Sequence, residues 1–278
     1  MNKGVLLREE VESNNSKDSN KFDSFLKNTK KFIAFTLAET LIVMGVIGIV
    51  AALTIPNLNS STNNMEKVTK VKKIYAELTQ AHERATAVYG PVETWFVNDS
   101  TSLAMQQRYI NRITEFMKVQ KTCLSSSDGV CMKGYPKDLH DSSWSNPVFK
   151  TYPSAIAASG FSYCDNYQDS WNKMCGNSPN GYCGYLMIDI DGPNKGKNVQ
   201  GMDIFAFRVT RDGVLPNFCY DANGQPWNDF CVEECFRTGI GCSIWILNAD
   251  NMDYIDANSS GKCNHSDKTL STTVTSCK

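Results

Sequence analysis

Three groups of residues in this sequence have the types and spacing to do chemistry. The first lies in DIDGPNKGKNVQGMD, residues 189–203. Asp189, Asp191, Asn194, Asn198 and Asp203 supply hard oxygen atoms of the kind that hold calcium. The spacing is not that of an EF-hand loop, because the third acidic position and the distal Glu are missing. The competing reading is a Gly/Asn/Asp turn whose polar groups satisfy its own backbone. The expectation is a calcium candidate with Asp189, Asp191, Asn194 and Asp203 as ligands, and no other cofactor.

The second group is the cysteines. All eleven fall between Cys123 and Cys277: Cys123, Cys131, Cys164, Cys175, Cys183, Cys219, Cys231, Cys235, Cys242, Cys263 and Cys277. A dense, segregated set fits disulfides made in an oxidising compartment on the outer side of a membrane. Zinc fits less well. The only close pair, Cys231 and Cys235, is spaced C-x-x-x-C, and His82, His140 and His265 are scattered. Eleven is odd, so at least one thiol is free or pairs with another molecule. Spacing does not give the connectivity.

The third group is a single residue. Glu39 is the only charged side chain between Phe32 and Ile55. Burying a carboxylate in a bilayer is costly, ~2.5–3.5 kcal/mol for Asp on the insertion scale. Such a residue needs a partner or a task; the bland alternative is that it snorkels to the interface, one turn into the helix. Elsewhere no Ser/His/Asp or Cys/His arrangement, phosphate loop or metal motif recommends an enzyme. Glu233-Glu234 reads as a solvated face.

These groups must be positioned by elements that the sequence also describes. Phe35 to Ile55 is a run of 21 residues, roughly 31 Å as a helix and about the thickness of a bilayer core. Lys27, Lys30 and Lys31 precede it, and the positive charges hold that end in the cytoplasm. Pro56, with no N–H, ends or kinks the helix, and NLNSSTNN after it favours turns. MEKVTKVKKIYAELTQAHERATAVYG, residues 65–90, reads as an amphipathic helix. Val68, Val71, Tyr75, Leu78, Ala81, Ala85 and Val88 form its apolar stripe, and Gly90-Pro91 stops it.

Beyond it, residues 92–182 read as a long irregular connection with one short helix near Thr101–Met117. Their aromatics, among them Trp95, Phe96, Tyr109, Trp144, Phe161, Tyr163 and Trp171, read as core more than as a sugar-binding face. Strand patterns follow at Gly184–Asp191 and Gly201–Val209. Arg211-Asp212-Gly213 turns that strand back into Val214-Leu215-Pro216, and Cys242–Leu247 reads as a further strand. The fold class is α+β: a long N-terminal helical spine, one half transmembrane and one half amphipathic, packed on a small antiparallel sheet in a disulfide-rich, loop-rich head.

Ala34-Phe35-Thr36-Leu37-Ala38-Glu39, the apolar run and Pro56 together resemble the N-terminal cleavage and methylation signal of type IV pilins and the pseudopilins of type II secretion. The resemblance is strong from Lys30 to about Gly90 and weak in the sheet. Cutting between Ala34 and Phe35 would make Glu39 the fifth residue of the mature chain and Pro56 the twenty-second, the positions these residues hold in that family. Gly48, fourteenth, also matches. Ala34 departs from the usual glycine. The resemblance implies a leader, residues 1–34, removed by a prepilin peptidase; a transmembrane and assembly helix, 35–56; an amphipathic second half, 57–90; and a head, 91–278. It implies that Glu39 pairs with the freed α-amino group of Phe35, in the same or a neighbouring subunit, and that Cys263 and Cys277 bound a C-terminal loop; by its position as the penultimate residue Cys277 could equally be the odd thiol.

The function expected from the resemblance is a structural subunit of a type IV pilus or secretion pseudopilus, methylated at Phe35 and minor rather than major. It starts as a single-pass inner-membrane protein with its head outside the cytoplasm and ends in an extracellular or periplasmic filament. Its partners are other pilin subunits, the peptidase, an inner-membrane assembly platform and the bilayer. With a net charge of −1, no strongly basic surface advertises nucleic acid. The alternative is an adhesin or binding module, anchored in the membrane or at the filament tip, that uses the Cys-rich head.

Overall fold

A computed structural model describes residues 36–96, 101–124, 128, 130–132, 136–140, 153–165, 182–216 and 229–278, with backbone alone at 53–61, 102, 164, 165 and 182. It divides into two compact units, Met1–Asn57 and Leu58–Lys278.

The first unit contributes the start of helix α1, whose full extent is Leu37–Tyr89. Its large apolar side chains are exposed: Leu41 is 65% exposed, Ile42 66%, Val43 54% and Met44 71%. Four consecutive residues cover every side of a helix, so this segment is apolar all round, a pattern stable only inside a larger core or a membrane. A side chain added at Gly45 or Gly48 would meet no atom within 4 Å. Among the described residues, no helix is long and apolar enough to cross a membrane. The apolar side chains described stop at Ala52, and Leu37–Ala52 rises about 24 Å against a core of about 30 Å. Leu53–Ile55 continue in helical backbone with side chains outside the described residues. Pro56 does not end the helix, and the turns expected after it are not formed, since residues 56–64 are helical. Proline removes one intrahelical hydrogen bond, and regular turns on both sides can carry that loss.

In the second unit the rest of α1 lies on a sheet. Val68, Val71, Leu78, Ala81 and Ala85 are buried as the periodicity predicts, joined by Ile74 and His82. Tyr75 is half-buried and Val88 is exposed, so the stripe ends one turn early. Gly90, at φ 80°, closes the helix with its N–H on the Thr86 carbonyl, the left-handed C-terminal cap that glycine favours. A 3-10 turn, Val92–Thr94, leads to helix α2, Ser102–Thr114, N-capped by the Thr101 hydroxyl, which accepts from the Ala104 N–H.

Six strands follow: β1 Val119–Cys123, β2 Ser154–Ala157, β3 Ser162–Asp165, β4 Tyr182–Asp189, β5 Ile204–Thr210 and β6 Gly213–Leu215. They pair antiparallel in sequence order, a simple meander. β4, β5 and the β5–β6 turn at Arg211-Asp212 match the sequence reading. β1, β2 and β3 overturn the irregular connection expected there. VQKTC, SAIA and SYCD are four or five residues long, too short and too polar to alternate visibly; neighbouring strands recruit them.

Every residue of β5 is buried. Phe205, Phe207 and Val209 join the main core with Leu186 and Ile188 of β4. Ile204 and Ala206 point the other way, into a small cluster with Met132 and Met187. Tyr75 of α1 stacks on Phe207 at 5.7 Å and donates its hydroxyl to the Val214 carbonyl at 3.2 Å.

Two helices, α3 Asp229–Thr238 and α4 Cys242–Ala249, follow the sheet. α4 corrects the expected strand at Cys242–Leu247. A short apolar run that starts after a glycine fits a buried helix as well as a strand, and Cys242 through Ile246 are buried. Gly241 leaves no room for a side chain, since an added Cβ would stand 2.7 Å from the Cys231 carbonyl oxygen. Ser243 of α4 donates to carbonyls of Ala206 and Pro216, and Tyr254 in the next turn donates to Gly201. The polar tail is tied down as expected. Cys263 bonds Cys277, and Asp253 accepts from the Ser276 hydroxyl and the Cys277 N–H.

His82 is buried beside Trp95 and Tyr109, with Nδ1 3.3 Å from the Tyr109 hydroxyl. Burial lowers its pKa to about 4 from 6.5. The unfolded chain therefore takes up a proton that the fold refuses. The stability this residue contributes is complete above pH 6.5 and falls away between 6.5 and 4, by on the order of 3 kcal/mol. Urea unfolding of wild type and H82Q at pH 7 and pH 4.5 should show a smaller pH-dependent loss in H82Q. Equal losses would mean that the folded imidazole titrates normally.

Candidate functional site

The first turn of α1 brings Glu39 a partner that the sequence reading did not name. Thr36 precedes the helix, and its carbonyl accepts the Thr40 N–H. The Thr36 N–H and hydroxyl both donate to Glu39 Oε2, at 2.8 and 2.9 Å, and the Glu39 N–H donates to Thr36 Oγ1 at 3.2 Å. This is a reciprocal capping box. Its signature, Thr-x-x-Glu, stands in the sequence as Thr36-Leu37-Ala38-Glu39. The box satisfies two backbone donors at a helix start and fixes the carboxylate at the positive end of the helix. Ala34 and Phe35 lie outside the described residues, as does the Pro56 side chain.

The β4–β5 loop brings together most of the carboxylates proposed for calcium and uses them as backbone acceptors. Asp203 Oδ2 accepts from the Lys197 and Asn198 N–H groups and Oδ1 from Val199. Gly196, at φ 75°, makes room for this, since a Cβ there would come 2.4 Å from Asp203 Oδ2. Asp189 Oδ1 accepts from Asp191 N–H at 3.1 Å and Gly192 N–H at 3.0 Å. Asp191 reaches α1, where Lys70 Nζ bridges it and Glu66 at 3.1 Å each. Asn194 is exposed. Among the described residues, no group of three or more His, Cys, Asp and Glu is placed to hold a metal ion.

Asp189 keeps one oxygen unsatisfied. Oδ2 is buried and accepts no hydrogen bond among the described residues. Burial, together with the charges of Asp203 and Asp191, raises its pKa to about 7 against the bonds from Asp191 and Gly192, which lower it.

The cysteines make disulfides, as expected. Cys123 bonds Cys131, and Cys235 bonds Cys242 across the α3–α4 turn. Cys183 and Cys231 are also disulfide-bonded. Cys175, Cys219 and the side chain of Cys164 lie outside the described residues. The aromatic reading holds among the described residues. Trp95, Phe96, Tyr109, Phe161 and Tyr163 are all buried, while Trp144 and Trp171 lie outside the described residues.

No family model, no curated protein and no solved structure matches this chain.

Two outcomes follow from this geometry. In the full chain, T36A should speed hydrogen exchange at the Glu39 amide and leave the second unit's amides unchanged; unchanged exchange at Glu39 would remove the capping box. For Asp189 the linkage runs opposite to that of His82. Its folded pKa lies above the unfolded 3.8, so the stability it contributes is complete below 3.8 and is lost as pH rises through 7. D189N keeps an acceptor oxygen and removes the buried charge, so it should raise Tm at pH 8 and change it little at pH 4. A fall in Tm at pH 8 would show that the ionised carboxylate is needed.

Proposed function

We propose that this chain is a filament subunit of the type IV pilin and pseudopilin class, a minor one, cleaved between Ala34 and Phe35 and methylated on Phe35. The observation that carries this reading is the apolar start of α1. Its side chains are exposed on every side and a capped carboxylate stands in its first turn. Such a surface must be covered. A bilayer covers it before assembly, and the helices of neighbouring copies cover it in a filament. The remainder of the same helix, packed on an antiparallel sheet in a disulfide-bonded head, supports the reading. The disulfides are consistent with a head outside the cytoplasm.

In this reading the capping box has a task. It satisfies part of the Glu39 carboxylate within its own chain, leaving Oε1 to meet the α-amino group exposed by cleavage. The partners are neighbouring subunits, a prepilin peptidase, an inner-membrane assembly platform and lipid. Calcium enters as a ligand of the β4–β5 loop through the unsatisfied Asp189 Oδ2. A rise in Tm on adding calcium to chelator-treated protein supports it, and an unchanged Tm at pH 8 removes it.

The decisive experiment is the mass and N-terminal sequence of the chain expressed with a prepilin peptidase. The expected product begins at N-methylated Phe35. An intact leader, or a cut beyond Pro56, would reduce the apolar helix to an ordinary anchor or signal.

A further inference from the structure

The second unit holds a cavity of about 490 Å³ beside α1. It lies between the solvent face of α1, the segment joining α2 to β1, and the β2–β3 turn. The volume is ordinary for a small-molecule site, roughly 300–1,000 Å³. Three cations face it: Lys73 and Arg84 from α1 and Lys118 from the connecting segment. Glu77 is the one acid in the lining, and it stands 3.9 Å from Lys73. The Arg84 guanidinium and Lys118 ammonium have no hydrogen-bond or ion-pair partner among the described residues. Gln80 and Ser159 bring polar side chains with no partner among the described residues, and Phe116 brings a half-buried ring set edge-on to Tyr89 at 6.3 Å.

We propose that this cavity binds a carboxylate-bearing sugar, a hexuronate or sialic-acid type of residue. The proposal stands on the cavity alone and does not depend on filament assembly. Arg84 and Lys118 recognise the carboxylate, and Arg84 offers it a planar fork of donors. Gln80 and Ser159 donate to and accept from hydroxyls, the mixed bonding that a sugar needs and a bare anion does not. Phe116 gives the apolar face of the ring something to lie on.

Nucleic acid fits this cavity less well. A phosphate chain wants cations spaced along a track, with aromatic platforms for its bases. Here Lys73 and Arg84 stand about 16 Å apart along α1 with Glu77 between them, and the adjoining groove alternates in sign: Lys70 there is already engaged by Asp191 and Glu66. The whole chain is also nearly neutral, with a net charge of −1.

The test uses the full chain in mild detergent and saturation-transfer NMR with three acidic probes: sialyllactose, a digalacturonate and a hexuronate-containing disaccharide. Lactose, an acidic peptide and a single-stranded oligonucleotide serve as comparisons. At least one acidic sugar should bind while lactose does not. The double variant R84Q/K118Q should weaken it by roughly tenfold or more, the usual scale for losing charged hydrogen bonds, with Tm unchanged. Four results would overturn the assignment: no binding by any of the three acidic sugars, equal binding of lactose, binding unaffected by R84Q/K118Q, or tighter binding of the peptide or oligonucleotide that R84Q/K118Q abolishes.

Discussion

The packing of the Val68–Ala85 stripe on the central strands sets most of the second unit. β5 is buried on both faces, so it needs a cover on each side. α1 supplies one through Tyr75, stacked on Phe207. Met132, with Ile240 half-buried beside it, closes off the other around Ile204 and Ala206. Each fully buried aliphatic side chain contributes about 1.5–3 kcal/mol. The Lys70–Asp191 pair, 40% and 20% exposed, belongs to a class worth about 0.2–1 kcal/mol. The stripe therefore holds the helix, and the ion pair orients the β4–β5 loop against it. That loop in turn approaches the β2–β3 turn so closely that a Cβ at Gly192 would stand 2.5 Å from the Gly160 carbonyl oxygen.

What the sequence made legible follows from how much signal each element carries locally. The second half of α1 announces itself because six or seven apolar residues repeat over five turns. β4 and β5 do so because IDID and DIFAF alternate or run apolar between turn residues. β1 to β3 carry no such pattern. Their pairing, for instance Tyr163 with Ile188, is decided by a partner distant in sequence, and no window of four residues contains it. α4 fails differently. CSIWIL has strand-forming residues, yet it forms a buried helix whose start is fixed by Cys235–Cys242 and by the tight approach at Gly241.

The candidate site shows the same division. The acidic loop was legible as a polar turn, but the division of labour within it was not. Three carboxylates of the same type, within fifteen residues, meet different fates: Asp203 saturated by backbone N–H groups, Asp191 paired with Lys70, Asp189 left with one oxygen bare. Composition cannot distinguish these, because the difference lies in which backbone amides the turn happens to point inward. The groove beside α1 was invisible for a related reason. Arg84, Lys118 and Ser159 come from three elements, and sequence places them on unremarkable polar faces.

His82 and Asp189 put buried ionisable groups to opposite use. Burial favours the neutral form of each, by refusing a proton at His82 and by retaining one at Asp189 as pH falls below about 7. Between about pH 4 and pH 6.5 their contributions to stability run in opposite directions. Acidification weakens the fold at His82 and strengthens it at Asp189. The wild-type chain can therefore look insensitive to pH in this window while two sizeable effects cancel within it. An unchanging stability across that range says nothing by itself about either residue, and only single variants separate them. Glu39 is held in another way. Its carboxylate is met by donors of its own helix start, so the charge is answered by hydrogen bonds where the other two are answered by a shifted proton. The capping box fixes the carboxylate at the start of the helix.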